Sequence, residues 1–238
     1  MAERVWEQYL TPQDKAHLAK SAPTSVGFGN TPALLLIDLY RWVFGDEPQP
    51  IVDAIETWPS SCGFAAWEAI PHIQTLLKAA RDAGIPVVHA TGREEDGLAT
   101  WSVGREIYGS DNRDAEAMEK RSRRWEIIDE VAPITGEPVM RKDSPSAFWG
   151  TPLMGHLNFH NVDTIIACGE TTSGCVRASV VDGCTNRYRM IVAEECVFDR
   201  HEAAHAINLF DMHQKYADVL PLADILEYIA EWRANQDN

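Results

Sequence analysis

A thiol, an ammonium group and a carboxylate each follow an apolar stretch of this chain. Cys175 comes after residues 163–169 through the polar turn Gly169-Glu170-Thr171-Thr172-Ser173-Gly174, Lys142 after residues 137–141, and Asp38 after residues 33–37. A strand, a tight turn and a helix opening on cysteine would hold the thiol at the positive end of a helix dipole, which lowers its pKa and favours the nucleophilic thiolate. Taken singly, the three have plain uses: the aspartate as a cap, the lysine as a surface charge, the cysteine as core filler. Their shared position at strand ends is what points to chemistry.

The elements that must position them follow from periodicity. Residues 33–38, 85–90, 137–141, 163–169, 188–193 and 218–220 read as short strands, the first as a continuous apolar run that ends in an acid. Between them lie helical stretches: one from about 64 or 71 to 83 that stops at Gly84, one within 146–159, one from Cys175 to 184, one over 201–213 and a last one over 223–232. Alternation of this kind predicts an α/β fold, a doubly wound parallel sheet in which ligands bind beyond the C-terminal strand ends. Residues 31–238 form one domain, and residues 1–30, helix formers followed by a Gly- and Pro-rich link, form an N-terminal arm suited to a partner subunit. The polar, glycine-containing stretch 91–118 is expected to be a functional loop or an oligomer contact.

Composition narrows the function classes. The chain has 238 residues, 45% hydrophobic and 24% charged, as an ordinary globular protein has. Its net charge of −15 repels phosphate backbones and anionic lipid, so neither nucleic acid nor membrane is an expected partner. The longest apolar runs are too short to span a bilayer. The N-terminal Met-Ala-Glu-Arg-Val-Trp-Glu lacks a signal-peptide pattern, and a cytoplasmic location is expected. Five cysteines without CxxC spacing are read as reduced thiols.

In these residues the chain resembles the isochorismatase-like cysteine hydrolases, and more closely their N-carbamoylsarcosine amidohydrolase branch. The pieces that carry the resemblance are Leu-Leu-Leu-Ile-Asp38, Arg-Lys142-Asp-Ser-Pro-Ser-Ala-Phe148, Cys-Gly-Glu-Thr-Thr-Ser-Gly-Cys175-Val-Arg, Asp199-Arg200, Asn208-Leu-Phe-Asp211 and Lys215-Tyr-Ala-Asp218. They run in order from about residue 28 to 230. The resemblance implies a three-layer Rossmann-like α/β fold, a catalytic triad of Asp38, Lys142 and Cys175, and an oxyanion hole made by the backbone N–H groups of Thr171 and Cys175 behind a cis Glu170–Thr171 peptide bond. It also implies a homo-tetramer and an Arg200 that holds a substrate carboxylate, with a salt bridge to a nearby acid as the plainer use of that arginine. Isochorismatases proper, which cleave a vinyl ether, commonly lack the cysteine, so Cys175 points to C–N hydrolysis.

Glu170 departs from the family's usual pattern, in which a small or apolar residue is commoner. It either accepts N–H groups from a ureido substrate or serves a structural partner. Trp42, Phe44 and Trp149 flank the catalytic residues and are candidates for the walls of a small apolar pocket, core packing being the plainer use of such rings.

Two other patterns compete. His201-Glu-Ala-Ala-His205 matches the HExxH pattern of zinc proteases, but it opens its helix just after Asp199, a candidate N-cap. His156 and His160 are also four apart, with no further ligand near in sequence. No metal and no cofactor are expected. The expected function is a metal-independent cysteine amidohydrolase that cleaves a small amide or N-carbamoyl compound, N-carbamoylsarcosine-like, through a thioester with release of ammonia. A maleamate- or ureidoacrylate-type amidase is the alternative, and a zinc hydrolase using His201 and His205 a more distant one.

Overall fold

The structure, a computed structural model, describes residues 4–21, 24–92, 119 and 122–236. Six parallel strands form one sheet: β1 (Pro32–Ile37), β2 (Val87–Gly92), β3 (Val139–Lys142), β4 (Thr164–Glu170), β5 (Arg189–Phe198) and β6 (Asp218–Leu220). Every residue of β1, β2 and β4 is buried, which is why their sequences run apolar instead of alternating. The spatial order is β3-β2-β1-β4-β5-β6. The strand order reverses between β1 and β4, and in such a sheet the crevice outside their C-terminal ends is where ligands bind.

Before the sheet comes α1 (Pro12–Leu18), and between β1 and β2 come α2 (Arg41–Phe44), α3 (Ile51–Thr57) and α4 (Phe64–Ala83). After β3 follow α5 (Leu153–Phe159), α6 (Arg177–Thr185), α7 (Glu202–Lys215) and α8 (Leu222–Gln236). One core layer packs Leu34, Leu36, Ile166 and Cys168 against Ile73 and Leu76 of α4 and Ile225 and Ile229 of α8. The other packs Leu35, Ile37, Ile165 and Ala167 against Leu157 of α5, Val180 of α6 and Leu209 and Met212 of α7. The pleat sends alternate residues of each strand to opposite layers, giving three layers as expected. No described helix is long and apolar enough to cross a membrane.

The start of α4 and the place of α5 fall within the sequence reading, and the end of β5 differs from it. Of the two starts left open for α4, residues 64 and 71, the helix takes Phe64, and Pro71 lies inside it. Within 146–159, α5 occupies Leu153–Phe159; residues 144–152 before it form turns, with Gly150 at φ 71° and Pro152 at the helix entrance. β5 continues to Phe198 instead of stopping at Ala193. Ala167 pairs with Val192 but Gly169 with Val197, so β5 bulges and carries Phe198 alongside Glu170.

The N-terminal residues dock on their own domain. Trp6 is buried beside Phe210 and His213, at ring distances of 6.3 and 5.6 Å, and Arg4 pairs with Glu194 at 3.1 Å. Asp163 then accepts the N–H groups of Asn30 and Thr31, which feeds the chain into β1. Of the stretch 91–118, only Thr91 and Gly92 fall within the described residues, so its expected loop role lies outside them.

Candidate active site

Asp38, Lys142 and Cys175 meet at the crevice. Asp38 follows β1 with φ 55°, a left-handed conformation that breaks the strand and redirects its fully buried side chain. Lys142 ends β3, two strands away, and its long stem crosses to bring Nζ within 2.7 Å of Asp38 Oδ2. The same ammonium lies 3.5 Å from Cys175 Sγ and donates to Ser144 O at 3.1 Å. The Asp38 carboxylate also has the Cys175 thiol as a side-chain hydrogen-bond partner.

The turn after β4 carries the cysteine. Gly169, at φ 115°, is the one residue type that fits, because a Cβ there would sit 2.0 Å from Ile37 O. The Glu170–Thr171 peptide bond is cis. Thr171 O then accepts from Gly174 and Val176 N–H at 2.9 and 3.1 Å, while Ser173 N–H goes to Asp199 Oδ2 at 2.8 Å. None of these three bonds draws on the N–H of Thr171 or Cys175.

The cysteine does not open the helix. It lies in a single wide turn, the π-helical segment Thr172–Val176, and α6 begins two residues later at Arg177. Its thiol is also not acidified as the helix-dipole argument predicts. Burial pushes the Cys175 pKa up, the Asp38 charge pushes it further, and Lys142 only partly opposes them. Burial likewise raises Asp38 against the pull of Lys142. For Lys142 burial works the other way, but the adjoining Asp38 and Cys175 raise its pKa and keep it an ammonium. At rest the arrangement is a neutral thiol beside a carboxylate–ammonium pair.

Asp199 does not cap α7, whose N-cap position is His201; it holds the cysteine turn instead, and also accepts Arg200 N–H at 2.8 Å. His201 is exposed, whereas His205 is half-buried with Nδ1 2.8 Å from Thr172 Oγ1. The same hydroxyl lies 3.1 Å from Phe198 O, so it links the ring to the end of β5. The helix that suggested zinc thus braces the cysteine turn. His156 and His160 pack edge to face, with ring centroids 4.6 Å apart. Among the described residues no group of three or more His, Cys, Asp or Glu side chains is placed to hold a metal ion.

Arg200 and Glu170 are brought together, with Nη2 3.6 Å from Oε1, and the same Nη2 donates to Ser60 O. Burial raises the Glu170 pKa to about 7 against the pull of Arg200. The aromatic candidates divide. Trp42 is buried edge-on to Trp58, and Phe44 is core, edge-on to Trp67 and Phe198. Trp149 is 72% exposed.

One brace went unseen in the sequence. Ser179 Oγ donates to Cys175 O at 2.8 Å and accepts Ala147 N–H at 2.9 Å, tying the cysteine turn to the loop that follows Lys142. Its only sequence signal is a serine one helical turn beyond Cys175, which by itself suggests no more than back-bonding within a helix.

Comparison with known proteins agrees with this architecture. Residues 32–224 match the Isochorismatase domain, and the chain belongs to that family. It is 35% identical over 211 residues to maleamate amidohydrolase of Pseudomonas putida, covering 86% of this chain and 89% of that one. It is 32% identical over 205 residues to N-carbamoylsarcosine amidase of an Arthrobacter species, covering 86% and 73%. A solved cysteine hydrolase from Pseudomonas syringae pv. phaseolicola shares the fold at a TM-score of 0.70 and 20% identity, over 89% of this chain and 100% of that one.

Proposed function

We propose that the protein is a metal-independent cysteine amidohydrolase that cleaves the C–N bond of a small amide or N-carbamoyl compound and releases ammonia. The observation that carries the reading is one ammonium, Lys142 Nζ, lying 2.7 Å from the Asp38 carboxylate and 3.5 Å from the Cys175 sulfur. Asp38 takes the thiol proton as Sγ attacks the carbonyl, and Lys142 stabilises the developing thiolate. The N–H groups of Thr171 and Cys175 receive the oxyanion. Asp38 returns the proton to the leaving nitrogen as the C–N bond breaks, which leaves a thioester and ammonia. Water, deprotonated by Asp38, then hydrolyses the thioester and restores the thiol. Each proton and the nucleophile come from these three side chains and water.

N-carbamoylsarcosine-like compounds are the first substrates to test, with maleamate and ureidoacrylate beside them. The relatives named maleamate amidohydrolase and N-carbamoylsarcosine amidase support this range. A cytoplasmic homo-tetramer belongs to the same reading, with the exposed Trp149 and Phe159 available as subunit contacts. The decisive experiment measures ammonia release from a panel of these amides by wild type and Cys175→Ser. Hydrolysis by the wild type and background rates in the variant are expected; a variant that keeps the wild-type rate would sink the mechanism.

A further inference from the structure

The buried charges near the catalytic turn balance in pairs. Asp38 is matched by Lys142 at 2.7 Å and Glu170 by Arg200 at 3.6 Å, and Asp199 adds a further negative charge bonded to the N–H groups of Ser173 and Arg200. Arg200 is therefore not an uncompensated cation waiting for an anion. Its guanidinium is tied to Ser60 O and to a carboxylate that is 4% exposed and one peptide bond from Thr171. The β5 bulge creates this pairing, because it sets Phe198 opposite Glu170 and so carries Arg200 to the β4 turn.

We propose that Glu170, held by Arg200 beside the catalytic turn, is a specificity determinant that favours substrates whose far end is an uncharged amide or ureido group over those ending in a carboxylate. This rests on the amidohydrolase reading and refines its substrate class. An amide offers N–H donors to the Glu170 carboxylate and a carbonyl oxygen to the guanidinium, so both members of the pair gain a partner. A carboxylate at the same place meets Arg200 only by lying against a second carboxylate. Discrimination of this kind works by repelling the wrong partner as much as by attracting the right one.

The selection depends on Glu170 being ionised. The groups that act on it are Arg200 after β5, Asp38 after β1, Lys142 at the end of β3, the Thr171 hydroxyl, Cys175 in the catalytic turn and Cys62 in the loop before α4. With its pKa raised to about 7 by burial, Glu170 is largely protonated at pH 6 and largely ionised at pH 8. Carboxylate substrates should gain ground as the pH falls.

Matched pairs test this: maleamate against maleamide, and N-carbamoylsarcosine against its amide. The ratio of kcat/KM within a pair cancels titration of the triad. For the wild type at pH 8 the uncharged member should lead by about tenfold or more, and the lead should shrink towards pH 6. Glu170→Gln should reduce the ratio at pH 8 by about tenfold and remove its pH dependence. A wild-type ratio that stays near one and flat from pH 6 to 8 overturns the proposal whether or not the variant folds. So does a ratio that Glu170→Gln leaves unchanged. If the wild type hydrolyses no member of either pair, the amidohydrolase reading falls and takes this one with it.

Discussion

Lys142→Met removes the charge of the central ammonium while keeping most of its stem. The amine lies 3.5 Å from Cys175 Sγ and 2.7 Å from Asp38 Oδ2, and the two side chains of the ion pair are 5% and 0% exposed. At an effective dielectric of about 20, an ammonium and a thiolate about 3.5 Å apart attract by on the order of 5 kcal/mol. Desolvation offsets part of that, which leaves an expected fall in kcat/KM of about 10³-fold. The same change strands Asp38, and a buried charge robbed of its partner costs about 3–5 kcal/mol of stability. The sign of the pH effect follows from Asp38. Burial already raises its pKa, and loss of the cation raises it further, so at low pH the stranded carboxylate is protonated and the penalty fades. Ammonia release and urea unfolding at pH 5 and pH 8 would measure both effects. Activity within tenfold of wild type, or an equal loss of stability at the two pH values, would refute the assigned geometry.

Other changes test the frame around the site. Gly169→Ala would place a Cβ 2.0 Å from Ile37 O at φ 115°, forcing β1 and β4 apart, and should cost about 3 kcal/mol, or about 6–12 °C in Tm. Thermal melts of the two proteins measure it, and a shift under 2 °C would contradict the close approach. Glu137 is expected to contribute to acid sensitivity. Burial would raise its pKa, but Arg81, the Ile134 N–H and His89 hold it down to about 2 from an ordinary 4.5. Its stabilisation is therefore present above pH 4.5 and lost as the pH falls towards 2, and Glu137→Gln should lower Tm at pH 7 with a gap that closes below pH 4. Incubation with EDTA or phenanthroline should leave ammonia release unchanged. Loss of activity that zinc restores would move the chemistry to His201 and His205.

The chain's own letters settle which residues can do chemistry and roughly where. The apolar runs Ala33-Leu-Leu-Leu-Ile37 and Ile165-Ile-Ala-Cys168 point to strands buried on both faces, because they are of strand length, too short for a helix, and each is followed by a turn. Three such strands end on Asp38, Lys142 and the turn to Cys175, and parallel pairing then gathers the ends at one edge. What composition and spacing leave open is anything that depends on distance between remote residues. The thiol was expected to be acidic from its own helix, whereas its pKa is set by burial and by charges arriving from β1 and β3. Arg200 and Glu170 lie thirty positions apart in the chain, and only the β5 bulge puts them in contact. His205 has a zinc-like spacing, and only packing shows its ring spent on Thr172. Local pattern determines the elements because it is read one residue against the next. The protonation and partners of the site wait on tertiary structure, because desolvation and Coulomb energy depend on what the whole fold brings within a few ångströms.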